Sequence, residues 1–164
     1  MFNTAPTIVH LMNVCLGGTF DPFHKGHEAL LKKAFEVAEK DGSVFIGITS
    51  DALAKKKGKV RPFLQRKQSI ERFLQKAGLQ SRWEIRELAD QFGPTIEVDF
   101  DAIIVSPETK PTAEEINRKR QRLGKKQMQI VVIPFVLAED NQPISSTRIR
   151  RKEIDAKGAL LKEE

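Results

Sequence analysis

Gly17-Gly18-Thr19-Phe20-Asp21-Pro22-Phe23-His24-Lys25-Gly26-His27 is the stretch that decides the fold. An apolar run, Ile8 to Leu16, precedes it and reads as a first strand. A segment with Leu30, Leu31, Ala34, Phe35 and Ala38 on one face follows it, with the 3.6-residue period of a helix. The stretch therefore marks the turn from a first strand into a first helix. A helix N-terminus presents unpaired backbone N–H groups and positive potential, so such turns bind phosphates. His24 and His27, two of the three histidines, sit three residues apart at this turn and add side-chain donors. Gly26 between them lets the backbone come close to a ligand. The turn is built for nucleotide phosphates.

Working outward, Val44–Thr49, Ala102–Ser106 and Gln129–Pro134 are short continuous apolar runs. Strands buried on both faces read this way, which implies a parallel sheet covered by helices. Trp83–Leu88 is a weaker strand because charges interrupt it. Arg66–Ala77 reads as a helix with Ile70, Phe73, Leu74 and Ala77 inward and Gly78 as its stop. Thr112–Leu123 reads as a basic helix with Ala113, Ile116 and Leu123 inward, ended by Gly124. The expected architecture is one α/β domain with a doubly wound, mainly parallel sheet. Its bounds are a leader with the start of the first strand at 1–12, the domain at 13–158 and a tail at 159–164. Four loops follow strand ends: Gly17–Lys25, Ser50–Pro62, Ser106–Thr112 and Phe135–Ser145. Ligands of open α/β sheets bind at the carboxyl ends of the strands, so these loops should surround one site.

Composition narrows the class. The 164 residues are 40% hydrophobic and 30% charged, ordinary for a globular domain. No apolar run approaches the ~20 residues of a membrane span, and no secretory signal is visible. The single cysteine, Cys15, excludes an internal disulfide and cysteine-cluster zinc sites, and reads as a small core residue. His24-x-x-His27 lacks zinc-protease spacing, so no protein-held metal is expected. A cytoplasmic location accords with all of this. Net charge is +6, which attracts either small polyanions or nucleic acid. The basic clusters Lys55–Lys59, Arg118–Lys126 and Arg148–Lys152 are not interleaved with aromatics as single-strand binders are, so nucleic acid is not the expected partner.

No dinucleotide G-x-G-x-x-G follows the first strand, and no P-loop occurs. A second motif, Ile144-Ser145-Ser146-Thr147-Arg148, offers three hydroxyls and a guanidinium at the start of a last helix. It reads both as an N-cap and as a second polyphosphate cradle, with Arg148 as a charged donor fork. Asp51 reads as a helix cap, His10 as structural, and Trp83 as packing rather than adenine stacking.

The GTFDPFHKGH and ISSTR stretches together resemble the nucleotidyltransferase superfamily, whose HxGH element grips ATP. Gly47–Asp51, Lys56–Lys59 before Pro62-Phe63, Phe92–Pro94 and Val105–Thr109 narrow the pattern. Over residues 13–158 it resembles the archaeal and eukaryotic-type phosphopantetheine adenylyltransferases. The resemblance implies a Rossmann-like fold and transfer of AMP from ATP to the 4′-phosphate of phosphopantetheine, with Mg²⁺ accompanying ATP. It implies that Gly17, Gly18, Thr19, Phe20, His24, His27, Ser145, Ser146, Thr147 and Arg148 bind ATP, with His24, His27, Arg148 and a lysine as the catalytic set. It places Thr19 and that lysine on the attacking phosphate. Lys59 ranks first, being nearest Pro62-Phe63, and Lys57 second. Glu108, Thr109, Asn117 and Arg120 are the remaining acceptor-side candidates. The same motifs also resemble nicotinate, nicotinamide mononucleotide and FMN adenylyltransferases, so they define the reaction and leave the acceptor to the middle of the chain. A non-catalytic nucleic-acid-binding module of the same fold is the distant alternative.

Overall fold

The computed structural model describes residues 4–162 of the chain; residues 1–3 and 163–164, parts of the expected leader and tail, lie outside it. Five strands form one sheet: β1 (Asn13–Gly18), β2 (Ser43–Thr49), β3 (Arg82–Leu88), β4 (Ala102–Val105) and β5 (Gln129–Val132). Their order is β3-β2-β1-β4-β5, and every pairing is parallel. The helices are α1 (Lys25–Ala38), α2 (Asp51–Ala54), α3 (Phe63–Ala77), α4 (Lys110–Arg122) and α5 (Ser146–Arg150), with 3₁₀ turns at Lys55–Lys57 and Gly93–Ile96.

The first strand starts later than the sequence predicts. Residues 8–12 join no sheet, and Ile8 is 93% exposed. The neighbouring strands begin opposite Asn13 and Val14, so earlier residues have no ladder to join. His10 is pinned instead to Asp101, Nε2 to Oδ1 at 2.6 Å, and is structural as expected. Trp83–Leu88 is a full strand; its charges are tolerated because β3 is an edge, bonded to β2 alone. β5 is the other edge, so its apolar run is not buried on both faces as predicted, and Val132 is exposed. No α-helix links β3 to β4; the turn at Gly93–Ile96 makes that crossing. Within the expected tail, Leu160 forms an antiparallel bridge with Ile154.

One face of the sheet carries α1 and α3, with Leu31, Ala34, Phe35, Ile70 and Leu74 packed on Val14, Val44, Ile46 and Ile104. The other carries α4, with Ala113 and Ile116 on Cys15, Ile103 and Val105. Cys15 is buried, and burial pushes its thiol up to about 12. Gly78 ends α3 in the left-handed conformation, φ 62°, as predicted. Leu123, predicted inward, is exposed, because α4 ends at Arg122 and turns away from the sheet.

Two acceptor-side candidates are structural. Asn117 pairs with the backbone of Met128 through both amide atoms, each at 2.8 Å, and ties α4 to the start of β5. Arg120 is fully buried, with its guanidinium on the carbonyls of Thr95, Val98 and Lys126 and on Asp99. A helix face rich in basic residues hides these two because burial follows from what the chain places beneath α4. We expect Asn117→Ala to cost about 1–3 kcal/mol for each backbone group it orphans, and Arg120→Ala about 3–5 kcal/mol. Chemical denaturation measures both, and substrate KM values at a permissive temperature should stay at wild-type levels.

Candidate active site

The ladder between β1 and β4 spans only Val14–Ala102 and Cys15–Ile103. Beyond it the strands part. Chain connections also reverse direction across this pair, which makes it the topological switch point of the sheet. Two cavities open there. The first, about 360 Å³, is lined largely by apolar groups, including Leu53, Leu88, Phe92, Pro94, Ile103 and Ile116. The second, about 610 Å³, is the more polar of the two: His24, His27, Ser145, Thr147 and Arg150 share its wall with apolar groups such as Leu30, Ile133 and Phe135. Gly17, Gly18, Thr19, Lys57, Ile104 and Thr109 line both, so the cavities meet at those residues. All four predicted loops contribute to these walls. β3 also contributes through Leu88, and the segment after it through Phe92 and Pro94 of the stretch that narrowed the family resemblance.

At the start of α1 the two histidines cap the helix. Nδ1 of His24 accepts from Gly26 N–H at 3.0 Å, and Nδ1 of His27 accepts from His24 N–H at 3.2 Å. A side-chain Cβ at Gly26 would fall 2.8 Å from the His24 ring, so the glycine makes room for the imidazole as well as for the cavity it lines. The rings stack at 3.7 Å between centroids, and Phe20 and Phe23 enclose His27 at 5.1 and 5.6 Å. Phe20 adopts φ 55°, a left-handed conformation that a bulky residue holds only when its surroundings impose it.

This geometry sets the protonation state. Burial lowers His24 to about 4, and burial, His24 and Lys57 hold His27 well below the usual imidazole range. Both rings are neutral at pH 7. Each Nδ1 is occupied as an acceptor, so the proton sits on Nε2. The site therefore offers two neutral N–H donors, and positive charge must come from elsewhere.

Lys57 and Arg150 are the lysine and the arginine on the wall of the more polar cavity. Lys57 lies on the shared wall, close enough to His27 to depress its basicity. Lys59, ranked first from sequence, is exposed and lines neither cavity. The chain turns at Gly58 with φ 107°, so the residue before the glycine reaches the cleft. Arg148, assigned to phosphate from sequence, is turned away. Its guanidinium binds Asp140, Glu153 and the Pro143 carbonyl, and those acids raise its pKa further. Arg150 lines the polar cavity instead and donates to the Asp21 carbonyl at 2.9 Å. The acids that hold Arg148 lie eight and five residues away along the chain, at positions 140 and 153, so the sequence alone does not mark them as its partners.

Among the other candidates, Ser145 caps α5 by accepting from Arg148 N–H at 3.2 Å, and Ser146 donates to Pro22 O at 3.4 Å. Thr147 and Glu108 line the polar cavity, and Thr109 lines both. Asp51 is a cap for the next helix, α3, as predicted: it accepts from Phe63 N–H at 2.8 Å, while Ser50 caps α2. Trp83 lines neither cavity. Among the described residues no group of three or more His, Cys, Asp or Glu is placed to hold a metal.

A parallel sheet with a histidine-capped turn at its switch point is a frame that a nucleotidyltransferase can use. Residues 15–152 match the cytidylyltransferase-like family, and the chain belongs to it. A phosphopantetheine adenylyltransferase of Methanosarcina barkeri is 49% identical over 150 residues, covering 91% of this chain and 92% of that protein. The enzyme of the same name from Archaeoglobus fulgidus is 42% identical, covering 92% of this chain and all of its own length. Within the family, the chain belongs with the phosphopantetheine adenylyltransferases. A crystal structure of a protein of unknown function from Archaeoglobus fulgidus is 38% identical with a TM-score of 0.68, covering 74% of this chain and 89% of that one. Pantoate–β-alanine ligase of Francisella tularensis, 12% identical with a TM-score of 0.54, covers 88% of this chain and 67% of its own and shares the fold alone.

The histidine cap makes stability pH-dependent. An unfolded imidazole takes up its proton near pH 6.5, whereas folded His24 does so only near 4. Between these values the unfolded state holds more protons, so stability falls as pH falls. At 1.36 kcal/mol per unit the His24 contribution is of the order of 3 kcal/mol. His24→Asn keeps a capping acceptor without a titrating ring. We expect wild-type Tm to drop from pH 7 to pH 4.5 and the variant's to drop less; parallel curves would contradict the neutral-cap assignment.

Proposed function

We propose that this chain transfers AMP from ATP to the 4′-phosphate of phosphopantetheine, forming dephospho-coenzyme A and pyrophosphate. The observation that carries this reading is the meeting of two chemically unlike cavities at Thr19 and Lys57. The polar one suits a nucleoside triphosphate. The apolar one suits the pantetheine arm, with its phosphate emerging at the shared wall. The names of the relatives point the same way.

In this reading an oxygen of the acceptor phosphate attacks the α-phosphorus of ATP. A new phosphoanhydride bond forms, the bond to the bridging α,β-oxygen breaks, and the electron pair leaves with pyrophosphate. The nucleophile is already ionised at neutral pH, so positioning and charge stabilisation matter more than a base. Thr19 and Lys57 hold the acceptor phosphate. The Nε2–H groups of His24 and His27 donate to the α- and β-phosphates without needing to titrate. Arg150, with Thr147 and the backbone around Ser146, receives the pyrophosphate. Mg²⁺ would accompany ATP as part of the substrate and would supply charge neutralisation on its phosphates. That accords with a polar wall whose acids are Asp21, occupied by Arg61, and Glu108. The reactants are water-soluble and no helix among the described residues is long and apolar enough to cross a membrane, which supports a cytoplasmic site of action.

With ATP and Mg²⁺, phosphopantetheine should support pyrophosphate release, whereas nicotinate mononucleotide, nicotinamide mononucleotide and FMN should not. Turnover with a mononucleotide and none with phosphopantetheine would overturn the acceptor assignment.

Substitutions separate the basic residues. A charge-assisted contact is worth about 1.5–3 kcal/mol, or roughly 10- to 150-fold. Lys57→Ala should raise the acceptor KM by that much and Lys59→Ala by a few-fold at most, an effect that salt erases. Arg150→Ala should lower kcat by roughly 10²–10³. Arg148→Ala should act chiefly on Tm, since its partners Asp140 and Glu153 belong to the C-terminal segment.

A further inference from the structure

Thr19 lies where the two cavities meet, and its hydroxyl has one hydrogen to give. Which way that hydrogen points decides whether Thr19 is a donor or an acceptor toward a phosphate. Thr49, at the carboxyl end of β2, places Oγ1 at 3.1 Å from Thr19 Oγ1. Behind Thr49 stands Arg66 of α3, its side chain wholly buried. Nη1 of Arg66 donates to Thr49 Oγ1 at 3.3 Å and to the Thr19 carbonyl at 3.1 Å. Nε donates to the Arg61 carbonyl at 2.8 Å, and Nη2 pairs with Asp51 at 2.9 Å.

A guanidinium donates and never accepts. Thr49 must therefore offer a lone pair to Arg66, and its own hydrogen has one acceptor among the described residues, Thr19 Oγ1. Thr19 receives that hydrogen, and its own proton is left to face the cleft. We infer that Arg66 and Thr49 are positioning residues for the transfer, fixing the donor direction in the order Arg66, Thr49, Thr19, ligand oxyanion. Each donor polarises the next. The same guanidinium anchors the end of the lysine loop, because Arg61 in turn donates its N–H to Asp21 at 2.9 Å. One buried cation thus holds the phosphate turn and the loop bearing Lys57 in register. The ligand being an acceptor phosphate rests on the function proposed above; the relay itself rests on the geometry.

The test is placed on Thr49, because removing Arg66 strips four partners at once. Thr49→Val deletes the relay atom at nearly constant shape, and Thr49→Ser restores it. Thr49→Val should lower kcat about 10-fold, within the range for a hydrogen bond to a charged group. KM for ATP should stay within about twofold, since the lost contact serves the other phosphate, and Thr49→Ser should return turnover to within about threefold of wild type. In a Thr19→Val background, Thr49→Val should add less than about twofold, because residues acting through one group are not additive. Wild-type turnover in Thr49→Val, or losses that multiply in the double variant, would overturn the relay. If the wild-type protein gives no pyrophosphate with ATP and phosphopantetheine, the functional reading fails, and inorganic phosphate followed by NMR titration judges the relay alone. Thr49→Val and Thr19→Val should then weaken phosphate equally and the double variant no further; unchanged affinity in Thr49→Val would overturn it.

Discussion

The hydrogen-bond ladder between β1 and β4 holds for two residue pairs and then lets go. Everything that makes a site depends on this separation. While the strands are paired, Val14 and Ala102 are sealed in the core. Once they part, Gly17, Gly18 and Ile104 face open space that helices on both sides of the sheet can wall but not fill. The parting lies where the topology reverses: connections leave β1 toward β2 on one side and arrive at β4 from β3 on the other.

Into that joint the chain delivers α1, started by imidazoles in place of the usual hydroxyl or carboxylate. An aspartate cap would serve the helix equally well but would bring negative charge to a phosphate site. A neutral imidazole satisfies the same backbone N–H with Nδ1 and keeps Nε2–H as a donor. Capping and ligand binding thereby use opposite edges of one ring. Burial among Phe20, Phe23 and the partner imidazole keeps the rings neutral. Positive charge lies apart from the rings, on Lys57 and Arg150 of the same cavity wall.

The buried arginines divide along the same lines. Arg120 and Arg66 are both fully buried and both spend their donors on backbone carbonyls. Arg120 braces the turn that replaces a crossover helix between β3 and β4. Arg66 braces the phosphate turn and the lysine loop. Neither could be replaced by lysine, whose point charge cannot span carbonyls of different segments.

What the sequence determined alone was whatever depends on short range. Apolar runs marked four of the five strands, with β1 begun too early, and β3 was legible only weakly through its charges; Gly78 ended its helix, and the four loops fell at one end of the sheet. The pair His24 and His27 was legible because a helix start fixes their spacing. Choices between near neighbours needed the tertiary structure. Lys57 and Lys59 are chemically identical on paper; the turn at Gly58 separates them. Arg148 and Arg150 differ by two positions on a short helix, and Asp140 and Glu153, brought together only by the packing of Ala138, Ile144 and Ile154, decide which one is clamped. Asn117 and Arg120 stood as acceptor-side candidates because a helical sequence does not say which loop will lie beneath it. Burial, and with it the role of a polar side chain, belongs to contacts between segments far apart in the chain; local patterning has no term for them.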